Sequence, residues 1–144
     1  MRPYLFSFAT CGCFLLATLG CGSNPYDLAP VSGTVTLAGE PLRGAVVNFQ
    51  PIARGSANVG PGSNGRTDAA GHFELKTIQD ETGAVVGQHR VRIYSYSPES
   101  PSVEDTDSGP VVERVPQRYN YRSKLTYTVP EEGTQRANFE LTLP

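Results

Sequence analysis

Val31-Ser32-Gly33-Thr34-Val35-Thr36-Leu37 (VSGTVTL) is the stretch whose reading decides the fold. In an extended chain successive side chains point to opposite faces, so Val31, Gly33, Val35 and Leu37 share one face and Ser32, Thr34 and Thr36 the other. The same period of two returns along the chain. Ala45, Val47 and Phe49 alternate with Val46, Asn48 and Gln50, and Phe73 and Leu75 with His72, Glu74 and Lys76. Val91 and Ile93 alternate with Arg90 and Arg92, and Leu125, Tyr127 and Val129 with Thr126 and Thr128. Phe139, Leu141 and Leu143 alternate with Asn138, Glu140 and Thr142. Such segments are strands with one buried and one wet face. Two sheets of them close a core between their apolar faces, which predicts an all-β sandwich. No stretch after residue 25 sustains a helical period.

The punctuation agrees. The chain holds 15 glycines and 12 prolines in 144 residues, a surplus that suits many turns between short strands better than a helical bundle. Ala38-Gly39-Glu40-Pro41 is expected to join the first two strands, and Asp68-Ala69-Ala70-Gly71 has the Asp-first, Gly-fourth order of a type I turn. Residues 51–66 and 97–116 read as long polar connections.

Charge and cysteine usage narrow the function. A formal net charge of −2 provides no electrostatic footprint for nucleic acid. All three cysteines, Cys11, Cys13 and Cys21, lie at the N-terminal end. From Gly22 onward the chain therefore has no disulfide framework, no zinc–thiolate site and no cysteine nucleophile.

The N-terminal end reads as an export signal. Arg2 supplies a positive charge, Tyr4 to Leu19 carries none, and Gly20-Cys21 closes the segment. The apolar run is short for a permanent span, which needs about 20 residues. Cys21, directly after a small residue, resembles the lipobox of bacterial lipoproteins, although Thr18 and Leu19 stand where that pattern has leucine and a small residue. The resemblance implies cleavage between Gly20 and Cys21 and a lipid anchor on the Cys21 thiol. An ordinary cleaved signal is the alternative. On this reading residues 1–20 are the signal, 21–30 a tether and 31–144 the domain.

Val31 to Val47 (VSGTVTLAGEPLRGAVV) also resembles the opening of the carboxypeptidase regulatory-like domain, a transthyretin-like fold. The resemblance continues through Thr67-Asp68-Ala69-Ala70-Gly71-His72-Phe73, through Gly87 to Ile93 with His89 in place of an aromatic, and through Val115 to Asn120 and Asn138 to Leu141. It implies an Ig/transthyretin-like β-sandwich of about seven antiparallel strands. It further implies a non-catalytic envelope lipoprotein, needing no cofactor, whose domain is structural or binds an envelope protein or polysaccharide. Such a protein is exported and faces the periplasm or cell surface from the cell membrane or outer membrane.

Few residues invite chemistry. His72 falls on a solvated face and His89 in phase with the core. No G-x-S-x-G elbow accompanies them, so no catalytic residues are expected. The acidic stretch Glu104-Asp105-Thr106-Asp107, with Glu99 nearby, lacks EF-hand spacing and reads as a solvated loop rather than a metal site. Tyr94, Tyr96, Tyr119 and Tyr121 are the candidate ligand or partner contacts, since exposed aromatics stack on sugar rings and fill protein interfaces. The rival function is a carbohydrate- or calcium-binding accessory module.

Overall fold

A computed structural model describes residues 25–53, 59–95 and 112–144. In chain order the strands are β1 (Leu28–Ala29), β2 (Ser32–Leu37), β3 (Glu40–Pro41), β4 (Val46–Pro51), β5 (Ser63–Arg66) and β6 (His72–Glu74). They continue with β7 (Lys76–Thr77), β8 (Ala84–Val85), β9 (Gly87–Tyr94), β10 (Thr126–Val129) and β11 (Phe139–Leu141). The only helical element among the described residues is one 3-10 turn at Gln117–Tyr119. The chain is all-β.

One sheet has the order β10-β9-β4-β5-β7, with every neighbour antiparallel. A second has the order β11-β2-β3, with β6 also paired to β2, and β1 and β8 form a separate pair. The β11–β2 pair is parallel, with Phe139 opposite Val35 and Leu141 opposite Leu37. That departs from the expectation of antiparallel strands throughout. Because β11 enters beside β2 from the far end of the chain, no tight hairpin constrains its direction.

All six alternating segments contain a strand, and their phases hold except at Leu143, which lies beyond the end of β11 and is exposed. Val35, Val47, Phe49, Phe73, Leu75, Val91, Ile93, Val129, Phe139 and Leu141 are buried in one core. Phe49 of the first sheet meets Phe139 of the second at 6.1 Å between ring centroids, and Phe139 stacks on Phe73 at 6.3 Å. Tyr127, expected in the core, is half-buried and packs edge-on against Phe139.

Three expectations need correction. Residues 51–66 do not form one connection, because Ser63–Arg66 is strand β5, paired along β4. It buries Ser63 and Gly65 rather than apolar side chains, so no hydrophobic alternation marks it. Gly65 is required there: a Cβ at that position would lie 2.3 Å from the carbonyl oxygen of Glu74. Second, the Ala38–Gly39 turn does not carry β2 into β4. It folds β2 back onto β3, with Leu37 opposite Glu40, and the chain then crosses to the other sheet. Third, the tether cannot extend to residue 30. Leu28 and Ala29 pair with Val85 and Ala84, and Ala29 is buried.

Buried polar side chains hold the backbone where strands stop. The Thr67 hydroxyl donates to the carbonyl of Leu42 and accepts from the amide of Ala45 at 2.7 Å. Ser123 donates to the carbonyl of Val91, and the Asn120 amide donates to the carbonyl of Val115 at 3.0 Å. The Asp68 carboxylate accepts from the amides of Ala70 and His72 at 2.8 and 2.9 Å, which closes the expected turn. Gly71 completes it at φ +76, a conformation that a side chain resists.

Candidate functional site

The three described candidate tyrosines, Tyr94, Tyr119 and Tyr121, separate into two surroundings. Tyr94, the last residue of β9, lies out of phase with Val91 and Ile93 and so points away from the core. It meets Tyr121 edge-on at 5.4 Å between centroids. Tyr121 is 66 % exposed, and burial of Tyr94 against its neighbours raises the Tyr94 phenol above its ordinary value. Tyr119 belongs elsewhere. Its hydroxyl lies 3.1 Å from the Thr142 hydroxyl and accepts from the Thr142 amide, while Arg118 covers its ring at 4.7 Å and reaches the carbonyls of Thr142 and Leu143. Hydrogen bonds from Thr142 and Arg118 bring the Tyr119 phenol down to about 8. Tyr119 is thus the anchor of the C-terminal strand's exit. Tyr96, Gly20, Cys21 and the acidic stretch around Glu104 lie outside the described residues.

The two histidines differ in their surroundings. His89 is buried, with Nε2 2.7 Å from the carbonyl of Val85 and its ring 5.5 Å from that of Phe49. Its Nδ1 has no hydrogen-bond partner among the described residues. Burial therefore lowers its pKa, and the Val85 carbonyl only partly opposes the shift. His72 starts β6, and its backbone amide is held by the Asp68 carboxylate. Among the described residues no cluster of three His, Cys, Asp or Glu side chains could hold a metal ion.

The Tyr94–Tyr121 pair stands at the margin of a larger surface, the outward face of the β10-β9-β4-β5-β7 sheet. Along β9 this face carries Arg90, Arg92 and Tyr94; along β4 it carries Gln50, Asn48 and Val46; along β5, Asn64 and Arg66. Register sets them in rows. Arg90 lies between Thr126 and Gln50, Arg92 is followed by Asn48, Asn64 and Lys76, and Tyr94 by Val46 and Arg66. Arg92 donates to the Gln50 side chain at 2.8 Å. Asn48, Gln50, Asn64 and Arg92 line a trough of about 360 Å³, bounded by Pro51 and the 71 %-exposed Ile78.

Charge on this face has one sign. β4, β5, β7, β9 and β10 contain no aspartate or glutamate. The carboxylates at its margins are engaged: Asp80 with Lys76 at 2.8 Å, and Glu113 with the amides of Ser95 and Val115. The outward face of the second sheet is the reverse. It bears Ser32, Thr34, Thr36, His72, Glu74 and Glu140, with neither lysine nor arginine in β2, β6 or β11. A net charge of −2 conceals this division.

Alternation had already placed Arg90, Arg92, Asn48 and Gln50 on wet faces. Their meeting could not be read, because it depends on the β9–β4–β5 register, and β5 gave no pattern to follow. The legible signal was the absence of carboxylates from the outward positions of those segments. A scan against protein-family models and searches of curated proteins and of solved structures found no match to the chain.

Proposed function

We propose that this protein is an exported, lipid-anchored envelope protein whose domain, a β-sandwich of the carboxypeptidase regulatory-like type, is non-catalytic and serves as a structural or binding module. The observation that carries the non-catalytic reading is the commitment of His89, whose ring is locked in the core against Val85 and Phe49. The sandwich reading is supported by ring contacts that join the two sheets across one core. The anchor rests on the Gly20-Cys21 sequence. Each buried acyl CH₂ contributes about 0.8 kcal/mol, so two or three chains on Cys21 hold a domain of this size on a membrane where one would be marginal.

The test is fractionation of a bacterial host expressing the full chain. The parent protein should enter the membrane fraction and the detergent phase, and Cys21→Ser should move it to the soluble fraction. Retention of the serine variant on the membrane would overturn the anchor.

Between the two forms of binding module, polysaccharide recognition has the more specific support. The trough sets the amides of Asn48, Gln50 and Asn64 and the guanidinium of Arg92 beside the apolar Pro51, Val59 and Ile78, the mixture of donors and apolar surface that a sugar ring presents in return.

A further inference from the structure

We infer that the outward face of the β10-β9-β4-β5-β7 sheet is a binding site for an acidic polysaccharide, read through Arg90, Arg92 and Arg66 with the amides of Asn48, Gln50 and Asn64. This rests on the reading of the domain as a binding module and names its face and ligand class.

Three observations select the occupant. The first is charge. Arg66, Arg90 and Arg92 share a face whose strands carry no carboxylate, in a protein whose net charge is −2, whereas Lys76 at its edge is already paired with Asp80. Arg66 and Arg90 are exposed, and Arg92 is steadied by Gln50, which leaves its other guanidinium donors available. A guanidinium fork pairs with a carboxylate through two parallel hydrogen bonds.

The second is the chemistry between the cations. Cross-strand neighbours at rows of Arg92, Asn48, Asn64 and Arg90, Gln50 are donors and acceptors suited to hydroxyl groups. Protein interfaces are built differently, around buried aromatic and apolar anchors with charge at the rim. Here charge and amides hold the middle, and the Tyr94–Tyr121 pair stands at one end, where it can stack on a sugar ring.

The third is shape. Strands lie about 4.8 Å apart and the face is a sheet surface, so successive residues of an extended polymer meet successive side chains. The trough of about 360 Å³ gives one of those residues a deeper seat.

The experiment is calorimetric titration of the full chain, solubilised in a non-ionic detergent, with polygalacturonate at about 0.1 M salt, where the screening length is about 10 Å. Dextran, poly-glutamate of matched charge and anionic lipid vesicles are the comparison ligands. Polygalacturonate should bind and weaken as salt rises. Arg90→Gln and Arg92→Gln should each reduce affinity about tenfold or more, the effect of losing one charge-assisted hydrogen bond. Arg136→Gln, beside the second sheet, should leave it unchanged, and all three variants should melt with the parent protein. Absence of polygalacturonate binding, or binding that survives Arg90→Gln and Arg92→Gln, would refute the site. Poly-glutamate or vesicles bound as tightly as polygalacturonate would refute the ligand class in favour of a protein or lipid partner. Dextran bound as tightly would refute the requirement for acid while leaving the domain a polysaccharide-binding module.

Discussion

At Thr67 a single hydroxyl joins two segments that secondary structure leaves apart. It satisfies the Leu42 carbonyl and the Ala45 amide, both buried, where the chain turns from β3 into β4. Thr67→Val keeps the shape and removes the oxygen. It should cost about 1–3 kcal/mol, the penalty for leaving buried groups unpaired, while Thr67→Ser should retain most of the stability. Urea midpoints of the two variants check this. His89 makes the pH dependence specific. Protonating Nδ1 would bury a donor with no acceptor among the described residues, so the folded protein holds the imidazole neutral and lowers its pKa below the ordinary 6.5. The unfolded chain binds the proton more readily. The stability contributed by neutral His89 is thus complete above pH 6.5 and is lost as pH falls through its lower folded-state value. His89→Gln keeps a donor for Val85 without a titrating ring. Melting temperatures between pH 7 and 5 should fall less steeply for this variant than for the parent. The position was legible because His89 shares a phase with Val91 and Ile93. Its carbonyl partner was not, because Val85 belongs to a two-residue strand too short to show a period.

Element by element, the alternation succeeded where a strand buries apolar side chains and failed where it does not. β2, β4, β6, β9, β10 and β11 each bury branched or aromatic residues on one face. β5 buries a serine and a glycine, and β1, β3, β7 and β8 have two residues each, too few for any period. The β2–β3 hairpin shows what turn chemistry adds. Ala38 and Gly39 take φ values of 52° and 85°, so both central residues are left-handed, the type I′ geometry that matches strand twist. Glycine accepts this freely and alanine does not. Ala38 is exposed, and only its backbone amide is engaged, with the Leu141 carbonyl at 2.8 Å. Ala38→Asn, which supplies the favoured Asn-Gly pair, should stabilise the protein by about 0.5–1 kcal/mol. A rise of a few degrees in thermal midpoint would register it.

For the whole molecule the boundary of the domain matters most. Leu28 and Ala29 are part of the folded unit: Ala29 is buried, and the Pro30 carbonyl accepts from the Thr134 amide at 2.8 Å. A chain starting at Val31 loses this pairing with β8 and the Thr134 contact. It should be less stable than a chain starting at Pro25 by about 2–3 kcal/mol, at roughly 1 kcal/mol for each backbone hydrogen bond. Denaturant unfolding of the two chains measures the difference. The same scale shows what net charge leaves out. A net charge of −2 argues against a strongly basic surface, yet sheet pleating sorts residues by parity and pairing sorts the strands into sheets. Together they gather arginines on one outer face and glutamates on the other.

Sequence alone determined the secondary-structure class, the buried face of each alternating strand, the Asp68–Gly71 turn and the absence of cysteine chemistry from the body of the chain. These are local properties: side-chain parity in an extended chain follows from neighbours two residues apart, and turn preference from the residues within the turn. Tertiary structure alone decided which strands are neighbours, the parallel entry of β11 beside β2, the inclusion of β1, and the grouping of Arg66, Arg90 and Arg92 with Asn48, Gln50 and Asn64. Those depend on register between segments far apart in the chain, where hydrogen bonding is backbone to backbone and carries no side-chain signature. The pairing is chosen by the collective fit of Phe49, Phe73, Phe139 and their neighbours into one core.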